Sequence, residues 1–142
     1  MKTLAGHDAT LEYAAEVVRP LRPSSAGATV VTLSGDLGSG KTTFVQGAAA
    51  ALGVSERVTS PTFVIENVYR LEGQHFERLI HIDAYRLQSE RELERLGWNE
   101  LVLDPKNLIL LEWPERVAGL IPERALRISL VGAEDVRTLH HG

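Results

Sequence analysis

Gly35, Gly40, Lys41 and Thr42 stand at the spacing G-x-x-x-x-G-K-T within the run GDLGSGKTT, an arrangement suited to holding phosphate. Glycines adopt backbone angles closed to other residues, so successive main-chain N–H groups can turn inward on a polyanion. A helix that starts at the lysine adds the positive end of its dipole. The lysine then neutralises charge on β- and γ-phosphates, and the Thr42 hydroxyl is a candidate ligand for Mg²⁺. From average composition, on the order of half a percent of unrelated chains this long carry the pattern by chance. The flanking sequence must therefore decide between a phosphate cradle and a glycine-rich connector.

A phosphate loop needs an acidic partner for its metal, at the end of a neighbouring strand after several apolar residues. Asp83 ends LIHID and Glu112 ends LILLE. One could hold Mg²⁺ while the other orients or deprotonates the attacking water. Glu112 follows the stronger apolar run and is favoured for the metal, with Asp83 near the γ-phosphate, although the sequence does not order the two. Thr62, in TSPTF, lies where many nucleotide hydrolases keep a loop that senses the γ-phosphate; the competing reading is an ordinary turn set by Pro61. Trp113 and Tyr85 each adjoin a candidate acid and read first as packing aromatics. His81 alternates onto the strand face of Asp83, where a lone histidine is ordinarily a satisfied packing residue. His140 and His141 could bind metal, but a fraying end is the simpler reading.

The elements that must position these residues follow from periodicity. Leu11, Ala14, Ala15 and Val18 share a helical face after an expected N-cap at Asp8, and Pro20 and Pro23 mark the exit. RPSSAG is a loop. ATVVTLS is β-branched and runs straight into the glycine turn; Phe44, Val45, Ala48, Ala49 and Leu52 then recur at helical spacing until Gly53. The motif thus lies between a strand and a helix, as a phosphate loop requires. TFVIENVYRL and LIHIDAYRL read as a hairpin through EGQH. Ser89 and Glu92 form a capping-box pattern ahead of Leu93 and Leu96, and Gly97 ends that helix. NLILLEW is the most apolar strand, a short helix begins near Pro114, and ALRISLV pairs with VRTL. The expected fold is α/β: one P-loop NTPase-like domain over residues 1–142, a mixed central sheet with parallel core strands and antiparallel hairpins outside them, and helices on both faces.

Composition bounds the function. The 142 residues are 44% hydrophobic, enough for one real core. A net charge of -4 argues against a chain whose main work is coating nucleic acid. There is no cysteine, which removes disulfides and thiolate chemistry and suits a reducing compartment, so the cytoplasm is the expected location. The first residues lack the apolar stretch of a secretion signal, and no run approaches the length of a membrane span.

GDLGSGKTTF, SPTF, HIDAYRL, LGWNEL and LLEWPE, in this order, resemble the bacterial TsaE (formerly YjeE) family, the small ATPase component of tRNA threonylcarbamoyladenosine (t6A) biosynthesis. The resemblance covers nearly the whole chain, and several separate motifs must coincide to produce it. It implies a P-loop domain that binds ATP or ADP with Mg²⁺ and joins the TsaD and TsaB proteins. In that complex, ATP binding and slow hydrolysis would support repeated threonylcarbamoyl transfer to tRNA, the transfer itself belonging to TsaD. Carried over by motif, Gly38, Ser39, Gly40, Lys41, Thr42 and Thr43 hold the phosphates, Thr42 and Glu112 hold Mg²⁺, and Asp83 acts near the γ-phosphate. Lys41, Asp83 and Glu112 form the catalytic set. Thr62 lies in the switch-like loop, Trp113 is functional, and His7 or Thr10 with Arg137 complete the nucleotide surroundings. The chain departs from the family pattern in its extended RPSSAG loop and in a short tail after Arg137.

Rival readings are separable. A GTPase should offer N-K-x-D for guanine, and the nearest stretch, DPKN, does not match. A small-molecule kinase needs an acceptor pocket and a lid, for which little sequence is left over. Three alternatives stay open: an assembly protein gated by ATP, which barely hydrolyses without partners; a generic small P-loop ATPase outside tRNA modification; and a pure scaffold with a decayed site, which would show no Mg²⁺-dependent ATP binding.

Overall fold

The computed structural model describes residues 2–3, 7–35, 40–55, 66–131 and 135–140, with side chains placed over 8–35, 40–55 and 66–130. Its strands are β1 (Lys2–Thr3), β2 (Thr29–Ser34), β3 (Glu66–Arg70), β4 (Arg78–Asp83), β5 (Asn107–Glu112), β6 (Leu126–Val131) and β7 (Asp135–His140). The helices are α1 (His7–Val18), α2 (Lys41–Ala51), α3 (Glu90–Arg95) and α4 (Trp98–Leu103), with a 3-10 helix over Pro114–Leu120.

The strands form one sheet in the order β1-β7-β6-β2-β5-β4-β3. β6, β2, β5 and β4 run parallel at its centre, and the β3–β4, β6–β7 and β1–β7 pairs are antiparallel. This is the mixed sheet expected from the sequence. β5 sits between two parallel neighbours, and all six of its residues are buried, which is why NLILLE reads as an unbroken apolar run rather than an alternating one.

Alternation sorts the core into two layers. Val31 and Leu33 of β2, Leu79 of β4 and Leu108 and Leu110 of β5 pack under α1 and α2, against Ala14, Val18, Phe44 and Val45. Their neighbours Val30, Ile80, Ile82, Ile109 and Leu111 face the other way and are covered by Leu93, Trp98, Val117 and Ile121. Helices therefore lie on both faces. α1 and α2 cross at Gly47, where an added β-carbon would stand 2.6 Å from the Leu11 carbonyl oxygen and 2.8 Å from its Cα.

The parallel β4–β5 pair is pinned at its entry end. Arg78 donates from Nε to Asn107 Oδ1 (2.7 Å) and from a terminal nitrogen to Asp104 (2.5 Å), while the Asn107 amide donates to the Leu101 carbonyl (3.0 Å). Arg78 and Asn107 are register partners, and the same register brings Asp83 level with Glu112 at the exit end. A slip of one residue would send one carboxylate to the opposite face.

Local expectations needed adjustment in five places. LIHIDAYRL is a strand only as far as Asp83, after which residues 84–87 form a turn closed by the Leu87 N–H on the Ala84 carbonyl at 3.1 Å. α1 begins at His7, so Asp8 lies in its first turn rather than at the N-cap. Ser89 is the N-cap of α3 but makes no side-chain cap bond; Glu92 instead accepts from the Gln88 N–H at 3.4 Å. Gly97 does end α3, but at φ 93 it also opens α4, which the sequence reading left out. β1 was likewise not foreseen, being two residues long.

Candidate functional site

α2 opens on Gly40, whose φ of 100 belongs to the left-handed region that glycine alone enters without strain. The helix has no side-chain cap and no acidic residue in its first turn. Its first N–H groups, those of Lys41, Thr42 and Thr43, lie beyond the reach of intrahelical carbonyls. That leaves a positive helix end prepared for an anion. Thr10 of α1 is buried beside it: a β-carbon at Gly40 would lie 3.9 Å from the Thr10 methyl. Of the two amino-terminal candidates, Thr10 is the one whose side chain is described, and it lies beside the start of α2.

Lys41 is 5% exposed. Its ammonium donates to the Gly35 carbonyl at the start of the glycine loop and stands 4.2 Å from the centroid of the Trp113 ring. Trp113 follows directly on Glu112, and its N–H donates to the Leu33 carbonyl (3.1 Å), carrying the β2–β5 ladder one step past the strand. The Tyr85 ring packs 4.9 Å from that of Trp113, and the Arg116 guanidinium lies 5.7 Å from the Tyr85 ring. Both aromatics, first read as packing residues, line the same end of the sheet as the lysine.

The two carboxylates occupy the ends of β4 and β5 as expected, and they share the sheet face covered by α1 and α2. Asp83 Oδ1 accepts from the Tyr85 N–H at 3.0 Å. Burial raises the Asp83 carboxyl above its ordinary pKa; the Tyr85 N–H lowers it, the charge of Glu112 raises it further, and His81 and Lys41 offset part of the rise. Glu112 is buried at 3% exposure, and its Oε2 accepts from His81 Nε2 at 2.5 Å. His81 is thus no simple packing residue. Its alternation onto the Asp83 face was legible, but its partner is 31 residues away and appears only once the strand register is known.

Not every expected residue reaches this centre within the described structure. Gly38, Ser39 and Thr62 lie outside the described residues, as does His141. His7 is the first residue of α1, with only its backbone described. Arg137 lies on β7 opposite Ser129, which is itself opposite Ser34, so its backbone is level with the end of β2 and two strands removed. Thr42 and Thr43 occupy the first turn of α2, both half-buried.

Comparison with known proteins gives the chain a family. The family model "Threonylcarbamoyl adenosine biosynthesis protein TsaE" matches residues 4–139. The chain belongs to the TsaE family. A tRNA threonylcarbamoyladenosine biosynthesis protein TsaE of Borreliella burgdorferi is 40% identical over 114 residues, 78% of this chain and 80% of the relative. That of Haemophilus influenzae is 32% identical over 125 residues, 88% and 75% of the two chains. The crystal structure of Bacillus subtilis YdiB superposes with a TM-score of 0.78 at 28% identity, covering 99% of this chain and 84% of that one. Membership in TsaE assigns the chain to a family of t6A biosynthesis proteins.

Two further observations bear on what the TsaE fold could hold here. Among the described residues, no group of three or more His, Cys, Asp or Glu side chains could hold a metal ion. The Thr42 hydroxyl and the Glu112 carboxylate are oxygen donors of the kind Mg²⁺ takes when phosphates and water supply the rest. Among the described residues, no helix is long and apolar enough to cross a membrane.

Proposed function

We propose that the chain binds ATP with Mg²⁺ at the N-terminus of α2 and hydrolyses it slowly, in the cytoplasm, as the nucleotide-dependent member of a t6A-forming complex with TsaD and TsaB. The observation that carries this reading is the convergence of a buried lysine at an uncapped helix start with two carboxylates held level at the ends of adjoining strands. A glycine-rich connector has no use for that arrangement.

The chain's own groups divide the work. Main-chain N–H groups at the start of α2 receive the phosphates, with Gly38 and Ser39 continuing the cradle. Lys41 exchanges the Gly35 carbonyl for phosphate oxygen while the Trp113 ring keeps its ammonium in place. Thr42 and Glu112 would hold Mg²⁺, whose chemistry when bound is to neutralise phosphate charge. Asp83, with Oδ1 already engaged by Tyr85, keeps its second oxygen for the attacking water. A raised pKa makes it a better proton acceptor than an ordinary aspartate. Thr10 borders the nucleotide from α1, and His7, Thr62 and Arg137 are the remaining candidates for its surroundings. Threonylcarbamoyl transfer is left to TsaD, and tRNA is met through the complex.

The test is calorimetry of ATP binding with and without Mg²⁺, together with ATP turnover of the chain alone and with TsaD and TsaB. The expected result is Mg²⁺-dependent binding, slow turnover alone and faster turnover in the complex. Absence of ATP binding overturns the site. Binding without association to TsaD and TsaB in any nucleotide condition leaves a generic P-loop ATPase.

A further inference from the structure

We propose that His81 is the positioning residue for the Glu112 carboxylate, fixing which of its oxygens serves the metal. This deepens the preceding reading and rests on it. His81 is fully buried, and Glu112 is nearly so. The register partner of His81 is Leu110 and that of Asp83 is Glu112, so the imidazole reaches diagonally along the sheet to the end of β5. Its Nε2 donates to Oε2 at 2.5 Å. Its other nitrogen, Nδ1, is buried and has no hydrogen-bond partner.

That orphaned atom is the informative part. An imidazole placed for packing alone would be better replaced by an aliphatic side chain, as its neighbours Leu79 and Leu110 show, because an unpaired buried polar nitrogen is unfavourable. The sheet tolerates it here in order to place one N–H against one carboxylate oxygen. A glutamate at a strand end has three side-chain torsions to sample. Tying down Oε2 leaves Oε1 as the oxygen presented to a ligand, in a single orientation. Carboxylates that ligate metals are commonly held in this way, and loss of the holding group typically weakens metal affinity by about 10- to 100-fold.

The experiment compares His81→Gln, whose amide nitrogen reaches the position of Nε2, with His81→Asn, whose amide reaches only that of Nδ1. ATP binding is followed by calorimetry as Mg²⁺ is titrated, and again in EDTA, with thermal melts of each variant. His81→Asn should need at least about tenfold more Mg²⁺ for half-maximal ATP binding, whereas His81→Gln should stay within about threefold of the wild type. Affinity in EDTA should be unchanged in both, an outcome that general loosening of the sheet would not give. Should His81→Asn fail to fold, His81→Phe, which fills a similar volume without a nitrogen, carries the same expectation. A wild-type midpoint in His81→Asn or His81→Phe overturns the inference, as does a folded His81→Gln no closer to wild type than they are. If the wild type itself shows no Mg²⁺-dependent tightening, the site reading falls and this inference with it.

Discussion

Lys41 and Trp113 meet with the ammonium 4.2 Å from the ring centroid, although one begins a helix and the other follows a strand 72 residues later. Trp113 reaches that position in the left-handed region, at φ 59 and ψ 52, the one non-glycine residue with positive φ among those described. A bulky residue there carries strain of order 1–3 kcal/mol. The turn sends the chain from β5 into the 3-10 helix at Pro114 while leaving the indole beside the lysine. Strain and contact therefore go together, since the left-handed turn is what brings the indole against the ammonium.

Trp113→Ala should weaken ATP binding by about 2- to 30-fold, the equivalent of a cation–π contact of roughly 0.5–2 kcal/mol. Trp113→Phe should recover part of the loss. Trp113→Gly should melt above Trp113→Ala, because glycine accepts the left-handed angles that alanine resists. Calorimetry and thermal melts of the three variants check both orders; equal affinities across all of them would remove the aromatic from the site.

Lys41→Met keeps most of the buried stem and deletes the charge. A hydrogen bond to a charged group is worth about 1.5–3 kcal/mol, so ATP affinity should fall roughly 10- to 150-fold. Fold stability should change little, since the Gly35 carbonyl can turn to water. Unchanged affinity in calorimetry would place the phosphates elsewhere.

What the sequence made legible here was mostly local. The glycine spacing, the β-branched strand before it and the helix after it are each constrained by neighbours along the chain, and the structure keeps them at Thr29–Ser34 and Lys41–Ala51. Asp83 and Glu112 were recognisable because apolar runs end at them. The bond between His81 and Glu112 was not, because it depends on the register of β4 against β5, which is set by Arg78, Asp104 and Asn107 at the other end. α4 was missed for a different reason. Six residues show too little periodicity, and the fixed point is the burial of Trp98, whose Nε1 donates to the Leu120 carbonyl at 3.2 Å.

Asp83→Asn should separate chemistry from stability. The folded protein holds the Asp83 proton more tightly than the unfolded chain does, since burial raises its pKa. Between the unfolded and folded values the native state binds more protons, so stability falls as pH rises through that window, and the penalty persists above it. Asparagine removes the penalty and can still accept from Tyr85. The variant should therefore melt higher than wild type at pH 8, with the advantage shrinking as pH is lowered through the carboxylate range. Partner-stimulated hydrolysis should be lost while ATP binding is kept. A variant that hydrolyses at the wild-type rate would take Asp83 out of the reaction.

Gly47→Ala should reverse the usual sign of such a change. Replacing an interior helix glycine with alanine ordinarily stabilises by about 1 kcal/mol. Here the new methyl would meet the Leu11 carbonyl oxygen at 2.6 Å, the Leu11 Cα at 2.8 Å and the Ala14 β-carbon at 3.0 Å. Two of these are backbone atoms, so relief requires α1 and α2 to separate, at an overpacking cost of about 1–3 kcal/mol. Two backbone clashes put that cost at the upper end, so about 2 kcal/mol remains after the ordinary gain, a fall of several degrees in Tm at roughly 2–4 °C per kcal/mol. The same displacement would draw Thr10 away from Gly40, so ATP affinity should fall along with stability. A Gly47→Ala variant as stable as the wild type would show that the two helices do not approach as closely as this crossing requires.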